Sequence, residues 1–245
     1  EYGFLEMLNN AIDHSEGTGV VINTEWASDS IKFVITDNGI GIFKKIKNAL
    51  ELEDERESAL HLSKGKFTTD PENHTGEGIF FTSRAFDDFH ITTRTMAYIR
   101  DNQDHDWFID TAEDPRIKGT GLRMTIRLDS KRKLQDVFSE FTGEGSDGMP
   151  KFDKTHILVE LSKLGDERYV SRSQARRICL GLEKFKHVIL NFKDISTVGQ
   201  GFVDEVFRVF QSKYPKIKID YTNANDDVQF MLERSLPEGQ SAIAH

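Results

Sequence analysis

A carboxylate and a carboxamide lie on one face of a predicted helix at the start of the chain. In the stretch EMLNNAIDHS, Glu6 and Asn10 are four residues apart, and Asp13 or His14 follows one turn later. Residues at this spacing share a helix face. A carboxylate can act as a general base, and an amide oxygen suits a hard cation such as Mg²⁺. The same polar face would serve equally well as solvated surface, so other parts of the chain must decide.

The same helix carries an apolar stripe. Leu5, Leu8 and Ile12 recur at i, i+3 and i+7, which predicts that this side of the helix is buried. The chain begins inside the helix without a preceding cap residue. We therefore expect that the natural protein, or its first domain, starts further upstream.

Three further motifs combine glycine with a polar or acidic residue. In chain order they are Asp37 with Gly39 and Gly41 after a predicted strand, Gly76 with Gly78 at the start of a predicted helix, and Gly119 with Thr120 at the start of a strand. Each has an ordinary structural explanation as a turn, a helix start or a strand start, and a single GxG is weak evidence of a site. The occurrence of all these motifs in this order is much stronger evidence of a site than any one of them alone.

In this combination the chain resembles the GHKL ATPase superfamily of gyrase-type topoisomerases, heat-shock chaperone ATPases, MutL mismatch-repair proteins and sensor histidine kinases. The ExxxNA motif is present as Glu6 and Asn10-Ala11, DxGxG as Asp37, Gly39 and Gly41, GxG as Gly76 and Gly78, and the final-strand threonine as Thr120. The resemblance covers roughly residues 1–130. It implies a Bergerat-type ATP-binding fold with ATP and Mg²⁺ as ligands.

The resemblance also implies a role for each polar residue. Asn10 would give an oxygen ligand to Mg²⁺. Glu6 would orient or deprotonate the attacking water as a general base. Asp37 would accept the adenine amino proton, and Thr120 would help to hold that carboxylate or a bridging water. Gly41 would let the backbone approach the base.

The phosphates would lie against the glycine pair. Gly76 and Gly78 would free backbone N–H groups at a helix N-terminus, where a phosphate is electrostatically favoured. Residues 50–75 would form the ATP lid. Two lysines lie in that segment, Lys64 and Lys66, and Lys66 is the candidate for a phosphate contact, although either lysine could equally be solvated.

The first domain, residues 1–141, has the predicted order helix, two strands, helix, loop, helix and three strands. The short connections between the strands indicate antiparallel pairing, so we expect an α+β two-layer sandwich. Residues 142–153 are rich in turn formers and are predicted to be a linker. From residue 154 to 245 strands alternate with helices, which predicts parallel βαβ units in a small α/β domain.

The second domain resembles STAS domains over about residues 154–236, in particular in VILNFKDISTVGQGFVDEVF. STAS is the fold of the antagonists that anti-sigma serine kinases phosphorylate, and the NAIDH sequence of the first helix resembles that kinase branch. Gln200 and Gly201 stand where the antagonists have their phosphorylated serine. The nearest hydroxyls, Ser196 and Thr197, are expected to be less exposed at the strand end. A phosphorylation switch is therefore not expected at this position.

Composition narrows the class of protein further. The 245 residues are 37% hydrophobic and 30% charged, with a net charge of −9, which disfavours a general nucleic-acid-binding surface. No apolar run is long enough for a membrane helix, and no signal-peptide pattern opens the chain. The single Cys179 excludes an internal disulfide. We expect a cytoplasmic protein without membrane or direct nucleic-acid partners.

Three functions follow from these patterns. The first is a Mg²⁺-dependent ATPase whose lid closure is coupled to a STAS-like domain that binds a protein partner. The second is a serine protein kinase of the anti-sigma-factor type, acting on a separate STAS or response protein. The third is an ATP-sensing interaction module with negligible turnover. Glu6 argues against the third but does not separate the first two. The resemblance also allows a homodimer.

Overall fold

The computed structural model describes residues 1–68, 75–102, 106–110, 114–144, 149–163 and 171–235. The chain divides into two compact units, Glu1–Ser139 and Glu140–His245. Residues 69–74 of the predicted lid lie outside the described residues. Within the described part of the chain, no helix has the length and apolar character needed to cross a membrane.

The first 141 residues form five helices and six strands within the part that is described. The helices are α1 (Tyr2–His14), α2 (Ile42–Leu50), α3 (Glu55–Lys64), α4 (Gly78–Ala85) and α5 (Leu134–Phe141). The strands are β1 (Val20–Trp26), β2 (Ser30–Asp37), β3 (Asp88–Thr92), β4 (Ala97–Asp101), β5 (Asp106–Asp110) and β6 (Gly121–Arg127).

The six strands form one antiparallel sheet in the order β1-β2-β6-β3-β4-β5. The last strand in sequence, β6, therefore pairs with both β2 and β3 in the middle of the sheet. Helices cover one face, where the Phe4 ring of α1 lies 5.7 Å from the Phe33 ring of β2. The predicted α+β two-layer sandwich is confirmed.

Two predicted elements of this unit are divided in the structure. The second helix of the predicted order forms α2 and α3, because Glu51 adopts a left-handed conformation at φ 53° and ends α2. The Asp54 side chain then accepts a hydrogen bond from the Arg56 N–H at 2.8 Å and caps α3. The first of the three last predicted strands is the β3–β4 hairpin, whose turn is closed by the hydrogen bond from the Thr93 N–H to the Met96 carbonyl oxygen at 2.9 Å.

The prediction of a buried Leu5, Leu8 and Ile12 stripe on α1 is wrong. Leu5 is 46% exposed and Ile12 is 61% exposed, whereas Gly3, Met7 and Ala11 form the buried face. Gly3, which has no Cβ, permits this packing. A Cβ there would lie 2.9 Å from Thr82 of α4 and from the Phe86 ring, so the glycine allows α1 to approach α4 closely. The face of α1 that carries Gly3, Met7 and Ala11 is therefore the one that packs inward.

The second unit contains a hairpin followed by a parallel sheet. Residues predicted to be a linker form β7 (Thr142–Glu144) and β8 (Pro150–Phe152), with the Phe152 side chain buried. The alternation then runs β9 (Lys154–Leu158), α6 (Arg172–Cys179), β10 (His187–Asn191), α7 (Gln200–Val203), α8 (Gln211–Lys213), β11 (Lys218–Thr222) and α9 (Asp226–Ser235). Residues Asp204–Phe210 form a π-helical turn between α7 and α8.

The three strands β9, β10 and β11 are parallel, in the order β11-β10-β9. Apolar side chains from alternate strand positions, including Ile157, Val188 and Leu190, are fully buried. Burial of each such side chain contributes about 1.5–3 kcal/mol to folding. The predicted small α/β domain is confirmed.

Candidate functional site

A pocket of about 280 Å³ lies in the first unit, beside α1, α2 and the start of α4. Its volume is near the lower end of the range of small-molecule sites. Seven of the nine predicted site residues line it: Glu6, Asn10, Asp37, Gly41, Gly76, Gly78 and Thr120. Gly39 and Lys66 are not among the described residues that line it. Positions far apart in sequence thus meet at one cavity.

Asp37 is held in a fixed orientation at the end of β2. The residue is only 5% exposed, and its Oδ1 atom accepts hydrogen bonds from the N–H groups of Gly39 at 2.9 Å and Thr120 at 3.1 Å. Among the described residues, Oδ2 receives no hydrogen bond. The carboxylate therefore keeps one oxygen as an acceptor for a donor in the pocket.

Gly119 completes this arrangement, although sequence reasoning did not include it among the site residues. A Cβ at Gly119 would overlap Asp37 Oδ1 and would lie 2.5 Å from the Asp37 carbonyl oxygen and the Gly39 nitrogen. Two of these neighbours are backbone atoms, so a side chain cannot be accommodated by rotation alone. The Gly119-Thr120 pair was the signal for this role, but the pair reads equally well as the start of a strand.

Thr120 joins three elements. Its N–H donates to Asp37, its carbonyl oxygen accepts from the Asp37 N–H at 2.9 Å, and its hydroxyl accepts from the Ile42 N–H at 3.0 Å at the start of α2. The contact with the carboxylate is made by the backbone of Thr120, whereas the hydroxyl caps a helix. Thr120 thus holds the Asp37 carboxylate through its backbone N–H.

The two glycines after Asp37 have separate structural roles. Gly41 lines the pocket with φ at +84°, a conformation that L residues with a side chain rarely adopt. Gly39 instead lies against the end of α1, where a Cβ would overlap the Ser15 carbonyl oxygen. The adjacent Ile40 N–H donates to that oxygen at 3.1 Å. Gly39 therefore fixes the loop against α1 rather than facing the pocket.

Glu6 lies against the N-terminal turn of α4. A Cβ at Gly78 would overlap the Glu6 Oε2 atom, so this carboxylate occupies the space that the glycine leaves open. Gly76, two residues earlier, has φ at +71° and lies against the backbone of Phe67. The glycine pair thus brings the α4 start close to both the α1 carboxylate and the segment around residue 67.

Burial raises the pKa of two side chains near this end of the pocket, Glu77 and Tyr2. Burial raises the pKa of Glu77, and the charge of Lys66 partly opposes that shift. Burial, with the Glu6 and Glu77 carboxylates, raises the pKa of Tyr2 to about 12. The phenol therefore stays protonated at neutral pH. Lys66 lies near enough to influence Glu77, and Lys64 is buried in α3.

Lys45 is a pocket residue that sequence reasoning missed. Its Nζ atom donates to the His14 carbonyl oxygen at 2.6 Å, at the end of α1, and forms an ion pair with Glu16 at 3.1 Å. It belongs to the run FKKIKNAL, in which three lysines are indistinguishable by spacing. Its position depends on the approach of α2 to α1, and a local sequence pattern does not predict that approach.

The antiparallel sheet with helices on one face, and a glycine-lined pocket at the strand ends, defines a small-molecule-binding domain of the nucleotide-binding type. The sequence profile of the family described as histidine kinase-, DNA gyrase B- and HSP90-like ATPase matches residues 3–132. The chain belongs to this family. Membership implies ATP binding and confirms the predicted GHKL resemblance, while the anti-sigma-kinase branch stays a prediction.

The second unit has a match of its own. A STAS-like domain of unknown function matches residues 174–229, which confirms the predicted STAS-like domain and fits partner binding. Among curated proteins, none matches the chain.

Proposed function

We propose that this protein is a Mg²⁺-dependent ATPase with a regulatory role, in which nucleotide-driven lid closure is coupled to a STAS-like domain that binds a protein partner. We assign residues 1–141 to the ATP-binding domain and 154–245 to the STAS-like domain. The division of the chain into compact units between Ser139 and Glu140 supports this assignment. Each step of the proposal rests on contacts within the first unit.

The adenine ring fits the Asp37 end of the pocket. Asp37 Oδ1 is already held by two backbone N–H groups, which leaves Oδ2 to accept a hydrogen bond from the exocyclic amino group. Gly41 lines the same region without a Cβ that would obstruct a flat ring. One fixed acceptor beside a glycine is a chemical basis for preferring adenine over a base with a carbonyl at that position.

The phosphates fit the α4 end. Gly76 and Gly78 flank the start of an eight-residue helix, whose first N–H groups have no partner within the helix. Such a terminus favours a phosphate. Asn10 lines the pocket one helical turn from Glu6, and we assign its amide oxygen to Mg²⁺. Mg²⁺ takes few protein ligands together with phosphate oxygens and water, which suits a single amide oxygen. Lys66 remains our candidate for a phosphate contact.

The position of the Glu6 carboxylate against Gly78 is the observation that carries the proposal of hydrolysis. It puts a carboxylate beside the helix start where the phosphates would bind. A carboxylate in that position can orient a water molecule and accept its proton. Mg²⁺, when bound, would neutralise charge on the phosphates. The protonated Tyr2 phenol beside Glu6 contributes no competing base.

Incubation with γ-labelled ATP and Mg²⁺ tests the proposal. We expect label to appear as free phosphate, and Glu6→Gln to lower turnover at least about 100-fold, the lower range for loss of a general base. ATP affinity, measured by calorimetry, should change less than about threefold. Glu183→Gln, the same change at an exposed position of the second unit, should leave turnover unaltered.

Two results would contradict the proposal in different ways. Label on a protein serine would favour the kinase alternative. Binding without turnover in the parent chain would favour the ATP-sensing module.

A further inference from the structure

A single helix contributes side chains to both compact units. The helix α5 runs from Leu134 to Phe141, and the boundary between the units lies between Ser139 and Glu140. No residue separates Phe141 from Thr142, where β7 begins. The helix therefore continues directly into the first hairpin of the second unit, at the point where the sequence predicts a linker.

Phe138 of α5 packs against both helices that carry the phosphate end of the pocket. The centroid of its ring lies 5.5 Å from that of Tyr2 on α1, with the ring planes at 69°. It lies 4.2 Å from the ring centroid of Phe81 on α4. Aromatic rings in contact favour particular orientations relative to each other. One side chain of α5 therefore helps to set the positions of α1 and α4.

Tyr2 is next to the proposed general base. It lies four residues before Glu6 on α1, and side chains at this spacing are neighbours on a helix surface. The Glu6 carboxylate is close enough to contribute to the raised pKa of Tyr2, after the larger effect of burial. The contact between Tyr2 and Phe138 therefore belongs to the surroundings of Glu6.

Phe81 belongs to the first turn of the phosphate helix. Its N–H donates to the Glu77 carbonyl oxygen at 3.0 Å, which closes the turn that contains Gly78. The Phe81 side chain is fully buried. In a close-packed interior, displacement of one ring moves the side chains around it. The position of the α4 start therefore depends on the position of Phe138.

The last turn of α5 packs within the second unit. The Phe141 side chain is buried, and its ring centroid lies 5.0 Å from that of His156 on β9. Glu140 Oε1 lies 3.8 Å from His156 Nδ1, and the Phe141 carbonyl oxygen accepts from the Asp153 N–H at 3.2 Å. Phe138 and Phe141 are three residues, or about 4.5 Å, apart along the helix axis. A single turn of α5 thus joins the contacts with the ATP-site helices to the contacts with β9.

We propose that Phe138 is a positioning residue for the ATP site, and that α5 couples the packing of His156 to the placement of Glu6. A protein partner bound to the STAS-like domain would then act on the ATPase through the last turn of α5. This role rests on the proposed function, because it requires Glu6 to act on a water molecule at the phosphates.

The coupling should alter turnover more than ATP affinity. The ring contacts of Phe138 adjoin Glu6 and the α4 start, where the reaction would occur. Asp37, at the adenine end, is held instead by Gly39 and Thr120. A misplacement of about 1 Å can lower a reaction rate about 100-fold. The adenine contact remains in place while the rate falls.

ATP turnover with Mg²⁺, compared with ATP affinity measured by calorimetry, tests the role of Phe138. Phe138→Ala should lower kcat about 10- to 100-fold and change affinity less than about threefold. Phe138→Tyr keeps the ring and should retain kcat within about threefold of the parent. Val137→Ala truncates a buried side chain of the same helix and should also leave kcat within about threefold. Circular dichroism verifies folding, and Phe138→Leu replaces Phe138→Ala if the alanine variant is unfolded.

A matched pair of histidine variants tests the contribution of the second unit. His156→Ala removes the ring contact with Phe141 and should lower kcat about 3- to 30-fold, the range for coupling through packed side chains. His187→Ala removes another histidine–carboxylate contact of the same unit, to Asp220 at 2.8 Å, and should leave kcat unaltered.

The imidazole resonance of His156, observed by NMR, gives a readout that needs no turnover. Coupling between two sites is reciprocal, so a non-hydrolysable ATP analogue with Mg²⁺ should shift this resonance in the parent chain but not in Phe138→Ala. The His187 resonance should stay in place in both. A parent chain that shows the His156 shift without hydrolysing ATP would contradict the proposed function and support the coupling through α5. A parent-like kcat in folded Phe138→Ala would overturn the inference, as would a His156 shift that persists in that variant or is missing from the parent.

Discussion

The substitution Asp37→Asn isolates a single atom of the proposed adenine site. The asparagine Oδ1 can keep both hydrogen bonds that Asp37 accepts, from the N–H groups of Gly39 and Thr120. The only chemical change is at the second position, where an acceptor oxygen becomes an N–H₂ donor. The adenine amino group would then face another donor. The fold should be retained, and the hydrogen bond to the base should be lost.

The magnitude follows from that one lost contact. A mispaired buried polar group costs about 1–3 kcal/mol. At about 1.4 kcal/mol per tenfold, ATP affinity should fall roughly 5- to 150-fold. Preference for ATP over GTP should fall further than ATP affinity alone suggests, because guanine has a carbonyl oxygen at the corresponding position and can accept from the new amide.

Calorimetric titration with non-hydrolysable ATP and GTP analogues would measure both quantities. Asp37→Ala is the comparison for stability. It leaves the two N–H groups without an acceptor at a residue that is 5% exposed, and it should destabilise the unit by about 1–3 kcal/mol more than Asp37→Asn does. An unchanged ATP affinity in a folded Asp37→Asn protein would refute the adenine assignment.

Other expected outcomes concern the metal, acid stability and phosphorylation. Asn10→Ala should abolish the Mg²⁺ dependence of ATP binding measured by calorimetry; a parent-like dependence would remove Asn10 from the metal site. Burial raises the pKa of Asp220, but hydrogen bonds from Lys218 at 2.6 Å and His187 at 2.8 Å lower it overall. The Asp220 carboxylate therefore stabilises the fold above the unfolded-state pKa of about 3.9, and this stabilisation is lost as pH falls through the lower pKa of the folded state. The free energy of unfolding in urea should be higher for the parent than for Asp220→Asn at neutral pH, and this difference should shrink below about pH 4. Mass spectrometry after incubation with Mg-ATP should find no stoichiometric phosphate at residues 194–204; finding it would favour a self-acting kinase.

The loop before α7 exposes a hydroxyl that was expected to be shielded. Gln200 begins α7, as expected from its place before FVDEVF, but Ser196 is exposed in the structure. The expectation that Ser196 is shielded at the strand end is therefore wrong. The strand β10 ends at Asn191, and residues 192–199 form a loop that carries Ser196 outward. The expected lack of phosphorylation therefore depends only on Gln200 and Gly201, which carry no hydroxyl at the position where the STAS antagonists have their serine.

The sequence predicted pocket residues best where the local backbone or chemistry requires one particular residue type. Asp37, Gly41, Gly76 and Gly78 were predicted from their motifs. The structure gives each a physical reason: Asp37 is a buried acceptor, Gly41 and Gly76 have a positive φ, and a Cβ at Gly78 would overlap Glu6 Oε2. Gly119 was noted with Thr120 but was not assigned to the site, and Lys45 was not singled out. Their roles depend on β6 approaching β2 and on α2 approaching α1. Such approaches are set by tertiary packing and leave no local periodicity.

The helix α1 shows the limit of periodicity more sharply. Its strongest apolar pattern marks the exposed side, while the buried side is built from Gly3, Met7 and Ala11. Amphipathic spacing identifies an apolar helix face, but it does not establish that the fold of the same chain buries that face. The inward face is the one on which Gly3, without a Cβ, allows α1 to approach α4 closely.

The central position of β6 has a consequence for how the protein is made. Asp37 and Thr120 are 83 residues apart, and the strand that follows Thr120 inserts between β2 and β3. A ribosome must therefore release residues up to Arg127 before the middle of the sheet can close. Pairings of such long range form slowly, since loop-closure entropy is lost before the contacts are gained. A nascent chain that ends before Thr120 and β6 lacks the hydrogen bond that Thr120 donates to Asp37, whereas the finished domain gains stability from any ATP that it binds. Bound ATP would thus favour the folded state only in chains whose last strand is in place.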